Sequence, residues 1–426
     1  MSFLAIMPAI SSELIYLGLI LGLLVLPRAL QRFRIPAPLT CLAFGVLATF
    51  VAAEFSHDKT VALLSVLGIS SLFLFAGLEI DLDELKKGWR PLLGNVLTYA
   101  VILALAVYLL QRWGEFSLPL ASVIALALFT PSTGFILDSL ARLGLSADEC
   151  FWVSSKAIAI ELLALLLLFL VLQSESTSAL LLSSTALIAM IVGLPLLFLL
   201  LGRLVVPHAP GSEFSLLIMV GLLAAYLTKA LGVYYLVGAF LAGFVARMLR
   251  TRMPALASDE NLHAVRLFAS FFVPFYFFYA GMSIPTEAIS LAALWWGLLI
   301  SVLVIPLRIG VFWLQRRLTF RDEPPRSSLR IAITLTPTLV FTLVLAAIAS
   351  GRYGLAPELF GALVVYACVT TALPSFVFPR AVSFELVEMG PPLPPAMAGG
   401  EGVSLPANAA SEPDVADSKM MEGKSV

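Results

Sequence analysis

Thirteen long apolar segments, separated by short polar connections, run through most of the chain. A helix needs about 20 apolar residues to cross a hydrocarbon core of about 30 Å, and the segments approach or exceed that length. Because an α-helix satisfies its own backbone hydrogen bonds in lipid, the pattern predicts an all-α polytopic membrane protein. The predicted spans are 12–30, 36–54, 60–80, 91–111, 119–141, 149–173, 178–203, 213–230, 232–249, 263–284, 288–315, 327–350 and 356–379.

The pattern changes after residue 380. Residues 381–426 are rich in Pro, Ala, Gly, Ser and acidic residues and show no hydrophobic periodicity. Such a composition does not build a packed core, so it predicts a disordered cytoplasmic tail that follows a transmembrane domain at 1–380. The tail contains no G-x-G-x-x-G sequence, and we therefore expect no appended nucleotide-binding domain.

The composition agrees with a membrane protein and argues against several kinds of partner. The chain is 60% hydrophobic and 12% charged, with mean hydropathy +1.00, whereas soluble domains are roughly 45–50% apolar and about 25% charged. Its net charge of −1 leaves no basic stripe for a nucleic acid. Cys41, Cys150 and Cys368 lie in or beside apolar segments without metal-ligand spacing, so we expect no metal centre, redox centre or cofactor.

The positive charges predict the orientation of the spans. Alternate connections hold 18 Lys and Arg residues, and the other set of connections holds 4. Because positively charged connections stay in the cytoplasm, we expect the N-terminus outside, the C-terminus inside and a location in the cytoplasmic membrane of a bacterium. Of the cations outside the tail, Lys156 and Arg308 alone remain within apolar spans, where a charge is costly and usually functional.

Two of the predicted spans are interrupted by a Thr-Pro pair. The fifth contains TPSTG at 130–134 and the twelfth contains TPT at 336–338. A similar connection follows each, RLGL at 142–145 and RYGL at 352–355. Proline removes a backbone hydrogen bond and breaks the helix, and the predicted topology runs these two spans in opposite directions. The pattern therefore indicates inverted repeats whose two broken helices cross near the midplane, as in many secondary transporters.

The sixth span carries the acidic residue of this central region. Glu161 lies near the middle of that span, where a carboxyl group can bind a proton or a dehydrated cation; a purely structural ion pair is the alternative. Hydroxyl groups beside the breaks and on the sixth span are hard oxygen ligands suited to an alkali cation, although each can instead bond a preceding carbonyl. These candidate ion or proton ligands are Thr130, Ser132, Thr133, Ser155, Thr336 and Thr338.

Two cations have charge-balancing roles in this prediction. Lys156 precedes Glu161 by five residues, about 140° around an ideal helix, so we expect no direct pair between them. Lys156 instead meets a polar site between helices or extends its ammonium toward the cytoplasm. Arg308 keeps its proton and must find an acceptor, either Glu161 or the carbonyls of the broken helices.

Three phrases, taken in order, resemble the monovalent cation:proton antiporters, in particular the bacterial sodium/proton and potassium/proton exchangers. They are LFLFAGLEIDL at 72–82, GAFLAG at 238–243 and FFYAGMS at 277–283. The resemblance implies thirteen helices, dimerisation and core domains, and broken helices five and twelve that cross beside an acidic residue on helix six. Glu161 stands where relatives usually have aspartate. Ile160 replaces the polar residue that usually precedes it, and Lys156 stands where some relatives have an acid.

We therefore expect a secondary antiporter, not an enzyme, that exchanges sodium or potassium for protons by alternating access. Its partners are the transported ions, the lipid bilayer and a second copy of the chain, since GLILG at 18–22 permits close helix contact. An anion or organic-acid carrier is one alternative, motivated by Lys156 and Arg308 against a single central acid. A receptor or assembly component that has lost transport is another, motivated by the altered Ile160-Glu161 pair.

The charge carried per cycle depends on Lys156. If its ammonium extends toward the cytoplasm, Glu161 alone carries one proton or one cation, and the exchange is electroneutral. If Lys156 is desolvated beside the site, it can release a proton when the cation binds, and the exchange is electrogenic. We expect the electroneutral case, because Lys156 points away from Glu161 on an ideal helix.

Overall fold

The computed structural model describes residues 12–51, 58–80, 89–140, 142–174, 177–231, 235–256, 258–320 and 323–378. The predicted tail at 381–426 lies outside these residues. Fifteen α-helices follow one another in the described part of the chain. They are α1 (Ser12–Leu30), α2 (Ala37–Val51), α3 (Lys59–Leu78), α4 (Trp89–Gly114), α5 (Leu118–Phe129), α6 (Thr133–Leu140), α7 (Ala147–Gln173), α8 (Thr177–Leu204), α9 (Glu213–Ala230), α10 (Tyr235–Met248), α11 (Asp259–Met282), α12 (Leu291–Thr319), α13 (Pro325–Thr334), α14 (Leu339–Tyr353) and α15 (Pro357–Val377).

These helices confirm the prediction of an all-α polytopic membrane protein. Within the described residues, ten segments are long and apolar enough to cross a membrane, with α5 and α6 counted together. The bent pair α13 and α14 brings the number to eleven. Helices α2 and α10 have 15 and 14 residues, which is short for a full crossing. The number of thirteen crossings therefore stays a prediction.

The prolines interrupt two spans where the sequence predicts. Between α5 and α6, Thr130 is extended, with φ −81° and ψ 123°, and the next helix begins at Thr133. Between α13 and α14 the chain bends by 42° across residues 335–338. Each break leaves four backbone groups per helix end without an intrahelical partner. These groups need acceptors or donors from elsewhere in the fold.

The helix that carries Glu161 has a firmly capped start. The Ser146 hydroxyl accepts the Glu149 backbone N–H at 3.2 Å, and the Glu149 carboxylate accepts the Ser146 N–H at 2.9 Å. This reciprocal capping box satisfies two N–H groups that the helix itself cannot use. It sets the register of α7 and so the depth of Glu161, fifteen residues beyond the cap.

The glycines in the three family-like phrases lie where helices touch through their backbones. A side chain at Gly77 of α3 would collide with the Phe240 carbonyl of α10, and one at Gly243 of α10 would collide with the Leu74 carbonyl. Gly281 of α11 meets the Leu42 carbonyl of α2 in the same way. These phrases therefore specify close helix crossings beside the central site rather than ion ligands.

Candidate ion-binding site

The two breaks meet through their backbones. The Ser132 N–H donates to the Pro337 carbonyl at 2.8 Å, and the Phe341 N–H donates to the Ser132 hydroxyl oxygen at 3.2 Å. The Thr342 hydroxyl of α14 donates to the Ala127 carbonyl of α5 at 2.7 Å. All of these contacts join residues more than 200 positions apart in the chain. The predicted crossing of two broken helices is confirmed.

Glu161 of α7 faces the start of α6. Its side chain is 1% exposed, and its Oε2 accepts the Thr133 backbone N–H at 3.0 Å. Thr133 is the first residue of α6, so the carboxylate faces the positive end of a helix dipole. The Thr133 hydroxyl lies beside this carboxylate and interacts with it, but it makes no hydrogen bond of standard geometry within the described part of the chain. The carboxylate and this hydroxyl thus face the same buried point.

Thr130 is held from a helix outside the two broken spans. Its hydroxyl and that of Tyr99, on α4, are 2.8 Å apart, and both residues are buried. Sequence reasoning did not identify Tyr99. The available signal was the spacing of Leu92, Asn95, Tyr99 and Leu103, which places them on one face of α4, the face that the structure buries.

The hydroxyls of the second break point to α15. The Thr336 hydroxyl has the Ile333 carbonyl at 2.7 Å and the Thr370 carbonyl at 3.2 Å as acceptors. The Thr338 and Thr370 hydroxyls are 3.1 Å apart. Neither Thr336 nor Thr338 hydrogen-bonds to Glu161 among the described residues. The structure therefore groups these two candidates with Thr370, which the sequence prediction missed.

Arg308 takes carbonyls, not Glu161, as its acceptors. Its Nη1 donates to the Thr336 carbonyl at 3.0 Å, and its Nη2 donates to the Leu335 carbonyl at 3.1 Å. Nη1 also reaches the Tyr366 hydroxyl at 3.0 Å, and that hydroxyl donates to the Leu128 carbonyl at 2.6 Å. The guanidinium is 2% exposed. It neutralises the negative end of α13 directly and reaches that of α5 through Tyr366.

Lys156 and Ser155 are both buried, yet neither contacts Glu161. Lys156 is 3% exposed, so its ammonium does not extend to the surface, and it has no ion pair with Glu161 within the described residues. It interacts electrostatically with Arg316 of α12 and with Glu323. Ser155 is 5% exposed and makes no hydrogen bond to Glu161 among the described residues. The predicted separation of Lys156 from Glu161 agrees with this geometry.

A cavity of about 170 Å³ approaches the site from one end of the bundle. It lies between α1, α2, α3, α6 and α11, and Leu72 and Gly134 form part of its lining. Asp138 stands at its rim, 3.4 Å from an Arg142 nitrogen and 3.7 Å from an Arg266 nitrogen. Because Gly134 follows Thr133 directly, the cavity ends one residue from the Glu161 contact.

Glu79, just past the end of α3, adds a further carboxylate near this rim. Burial raises its pKa above the usual range of a glutamate, while the charges of Arg266 and Arg247 act in the opposite direction. Because Arg266 also contacts Asp138, it links the two acids at this end of the bundle. Neither here nor at any other place in the described residues does a group of three His, Cys, Asp or Glu side chains have the arrangement of a metal site.

Comparison with known families shows to which family this chain belongs. A family described as "Sodium/hydrogen exchanger, transmembrane" matches residues 18–383. The chain belongs to this family. The result confirms the resemblance seen in the sequence, and the exchanger fold accounts for the paired breaks beside an acidic helix.

Individual relatives agree with this assignment. "Probable Na(+)/H(+) antiporter 3" of Methanocaldococcus jannaschii is 25% identical over 267 residues, which are 61% of this chain and 68% of the relative. "Na(+)/H(+) antiporter NhaS5" of Synechocystis sp. is 28% identical over 303 residues, 67% of this chain but 42% of that longer protein. The solved structure of the sodium proton antiporter MjNhaP1 from M. jannaschii at pH 8 has a TM-score of 0.63 and 15% identity. That likeness covers 86% of this chain and 96% of MjNhaP1, and it establishes the exchanger fold.

Proposed function

We propose that this member of the exchanger family exchanges a monovalent cation for protons across the cytoplasmic membrane, with Glu161 as the shared carboxylate. The observation that carries the proposal is the buried contact of Glu161 with the Thr133 N–H, beside an unpartnered Thr133 hydroxyl. The names of two relatives refer to sodium and protons, so sodium is the first cation to test. Potassium is the alternative.

The chemistry follows from competition for one buried charge. Deprotonated Glu161 is stabilised by the start of α6 and attracts a cation, for which the Thr133 hydroxyl supplies a second hard oxygen. Protonated Glu161 is neutral and no longer holds the cation. Because the carbonyls of Leu335 and Thr336 are already bonded to Arg308, they do not compete as cation ligands. One carboxylate thus carries either one proton or one cation.

Alternating access requires that the site open to one side at a time. The cavity that ends beside Gly134 opens among Arg28, Arg142 and Arg266, the end that the charge bias assigns to the cytoplasm. We infer an inward-facing state, in which a cation reaches Glu161 through this cavity. Movement of the helices that carry the breaks against α1 and α2 would close it and expose the site outside.

We also propose a homodimer with the N-terminus outside. The positive charges support the orientation. Gly18 of α1 has no atom within 4 Å of the position that a side chain would take, so this helix face has room for close contact with a neighbouring helix. A second copy is the partner expected from the family resemblance.

The anion-carrier alternative loses the observation that motivated it. Arg308 is committed to helix-end carbonyls, and the charged groups that act on Lys156 are Arg316, which repels it, and Glu323, not Glu161. Neither cation offers a substrate anion a place beside Glu161. Cation exchange is therefore the function that the geometry supports best.

The test is exchange in proteoliposomes with purified wild-type protein and Glu161→Gln. Sodium-driven proton flux should fall by about a hundredfold or more in the variant, because its amide cannot hold a proton or a cation in turn. Glu287→Gln is the matched control, since Glu287 is exposed beyond α11, and it should exchange like wild type. Full exchange by a folded Glu161→Gln protein would refute the assignment. Repeating the assay with each alkali cation identifies the substrate.

A further inference from the structure

Buried polar atoms without partners occur on α4 and α12, two helices that both contact α7. Asn95 of α4 is fully buried, yet neither atom of its amide has a hydrogen-bond partner within the described residues. On α12, the Gln315 Oε1 and the Arg316 Nε and Nη1 are likewise buried and unpartnered in the described part of the chain. Each unsatisfied polar group costs about 1–3 kcal/mol, so several in one region need a common explanation.

These three helices are direct neighbours. The Gln315 amide nitrogen donates to the Thr98 hydroxyl at 3.2 Å, which joins α12 to α4. The Arg316 guanidinium joins α12 to α7, since it lies 5.1 Å from the Trp152 ring centre and 3.6 Å from an Asp148 oxygen. Lys156 lies one turn beyond Trp152 on the same face of α7. The unpartnered atoms therefore lie on helices that are joined by side-chain contacts.

This space leads to the broken helix. Asn95 lies one turn before Tyr99 on the buried face of α4, and the Tyr99 hydroxyl is 2.8 Å from that of Thr130 at the break. Tyr99 is also within electrostatic range of Glu161 and Arg308. A series of polar side chains, the polar path, thus extends over these helices: Arg316, Lys156, Asn95 and Tyr99, of which Tyr99 contacts the break.

The cation cavity lies between other helices than the polar path. Its lining comes from α1, α2, α3, α6 and α11 and the turn after α6, and it includes no residue of α4, α7 or α12. The charge along the polar path also disfavours an alkali cation. The amides of Asn95 and Gln315 offer oxygens as well as N–H donors, but Lys156 is a buried cation without an ion pair within 4 Å in the described residues, and it repels a bare cation. Donors and amides do bind water, which typically makes about three hydrogen bonds when it satisfies buried polar groups.

We propose that α4, α7 and α12 enclose a water-filled proton route to Glu161, separate from the cation cavity. The inference rests on the proposed exchange of protons. Along the route, each water or hydroxyl accepts one proton and releases another on its other side, so no group gains net charge after the transfer. Tyr99 and Thr130 provide the last hydroxyls, and the Glu161 carboxylate receives the proton.

Charged groups border this route from all three sides. Arg316 is neutralised by Glu323, with an oxygen at 2.7 Å, and by Asp148 at 3.6 Å. Arg308 is held by carbonyls and Tyr366. Lys156 has no ion pair within 4 Å in the described residues, so it discourages bare cations along the path. Among the described residues the buried carboxylates are Glu149, which acts on Arg316, and Glu161, which lies at the end of the route.

Hydroxyl-radical labelling followed by mass spectrometry tests the water directly, whatever the protein transports. Radicals form on bound water, so Tyr99 should be modified in the intact protein, although its side chain is 2% exposed. Asn95→Leu should reduce that modification about fivefold or more, because it removes the polar anchor of the water. A wild-type Tyr99 that stays unmodified, or one modified equally in Asn95→Leu, would overturn the proposal.

Transport by Tyr99→Phe gives the second test. Loss of the hydroxyl should lower the maximal exchange rate about tenfold, most strongly at alkaline pH where protons are scarce, while the sodium concentration for half-saturation changes less than about twofold. Tyr108→Phe is the matched control, because Tyr108 lies on the same helix with 61% exposure. If the half-saturation concentration instead rises in step with the loss of rate, Tyr99 serves cation binding and the separate route is refuted. If the wild-type protein shows no exchange, only the proposed function is refuted, because the labelling experiment tests the buried water independently of transport.

Discussion

The two broken spans are related in sequence, yet their helix ends meet different chemistry. At the first break, the start of α6 faces the Glu161 carboxylate, and the Thr133 hydroxyl keeps a free hydrogen-bonding capacity within the described residues. At the second, Arg308 occupies the carbonyls of Leu335 and Thr336, and the neighbouring hydroxyls bond α15. The two similar breaks are therefore chemically different. The first offers oxygen ligands to an ion, whereas the polar groups of the second already have hydrogen-bond partners within the protein.

The reason lies in the direction of the helix dipoles. Helix starts stabilise anions and helix ends stabilise cations, each with about half a charge. Glu161 comes from α7 and Arg308 from α12, so two helices outside the breaks supply the opposite charges. The permanent guanidinium of Arg308 holds its position at any physiological pH. The carboxyl of Glu161 can change its charge, which suits it to exchange.

The largest effect on stability should come from removing Arg308 from the second break. Arg308→Gln leaves the carbonyls of Leu335 and Thr336 and the Tyr366 hydroxyl without their buried donor, so the free energy of unfolding should fall by about 3–5 kcal/mol. Thermal unfolding in detergent measures this loss, with Arg112→Gln at the exposed end of α4 as control. Unchanged thermal stability would show that Arg308 does not hold the second break.

A smaller effect is expected at the first break, where Thr133 offers its hydroxyl to a cation. Thr133→Val removes the hydroxyl beside Glu161 but keeps the backbone N–H, so the sodium concentration for half-saturation should rise about tenfold, equivalent to about 1.4 kcal/mol. Stability should change little, because that hydroxyl has no partner to lose in the described residues. Sodium-dependent proton flux measures the shift. A variant with wild-type sodium dependence would remove Thr133 from the ion site.

The matched substitution at the second break, Thr338→Val, should lower stability but leave the sodium dependence of exchange unchanged. Thr338→Val removes the 3.1 Å contact with the Thr370 hydroxyl, which should cost about 1 kcal/mol of stability. The sodium concentration for half-saturation should stay within about twofold of wild type, since the hydroxyl does not bond Glu161. A tenfold loss of sodium affinity would instead restore Thr338 as a ligand and make the two breaks alike.

The smallest effect is expected for Lys156. Because Lys156 has no ion pair with Glu161 and no hydrogen bond to the breaks within the described residues, we expect exchange that does not respond to a potassium–valinomycin potential, both in wild type and in Lys156→Gln. The variant keeps N–H donors, so its rate should stay within about threefold of wild type. A potential-dependent wild-type rate that loses this dependence in Lys156→Gln would identify Lys156 as a second proton carrier and the exchange as electrogenic.

Several parts of the candidate site could be predicted from the sequence alone. Glu161 stands out because a carboxylate inside an apolar span is rare, and the breaks stand out because proline cannot continue a helix hydrogen-bond ladder. The roles of Tyr366 and Thr370 could not be predicted from the sequence, and for Tyr99 the spacing along α4 indicated a buried face but not its hydrogen-bond partner. A single tyrosine or threonine in an apolar span carries no signal of its own, since its role depends on a partner 31 or more residues away.

Three properties follow from the order of residues alone: the chain is an all-helical membrane protein, two of its spans break, and one carboxylate is buried beside a break. These properties depend on local hydropathy, proline chemistry and the cost of charge in lipid. The folded arrangement was needed to show that Arg308 binds carbonyls and not Glu161, and that Thr336 and Thr338 contact α15 while Thr133 faces the carboxylate. Those choices depend on which helix ends meet across the crossing, and contacts between residues more than 200 positions apart leave no periodic pattern along the chain.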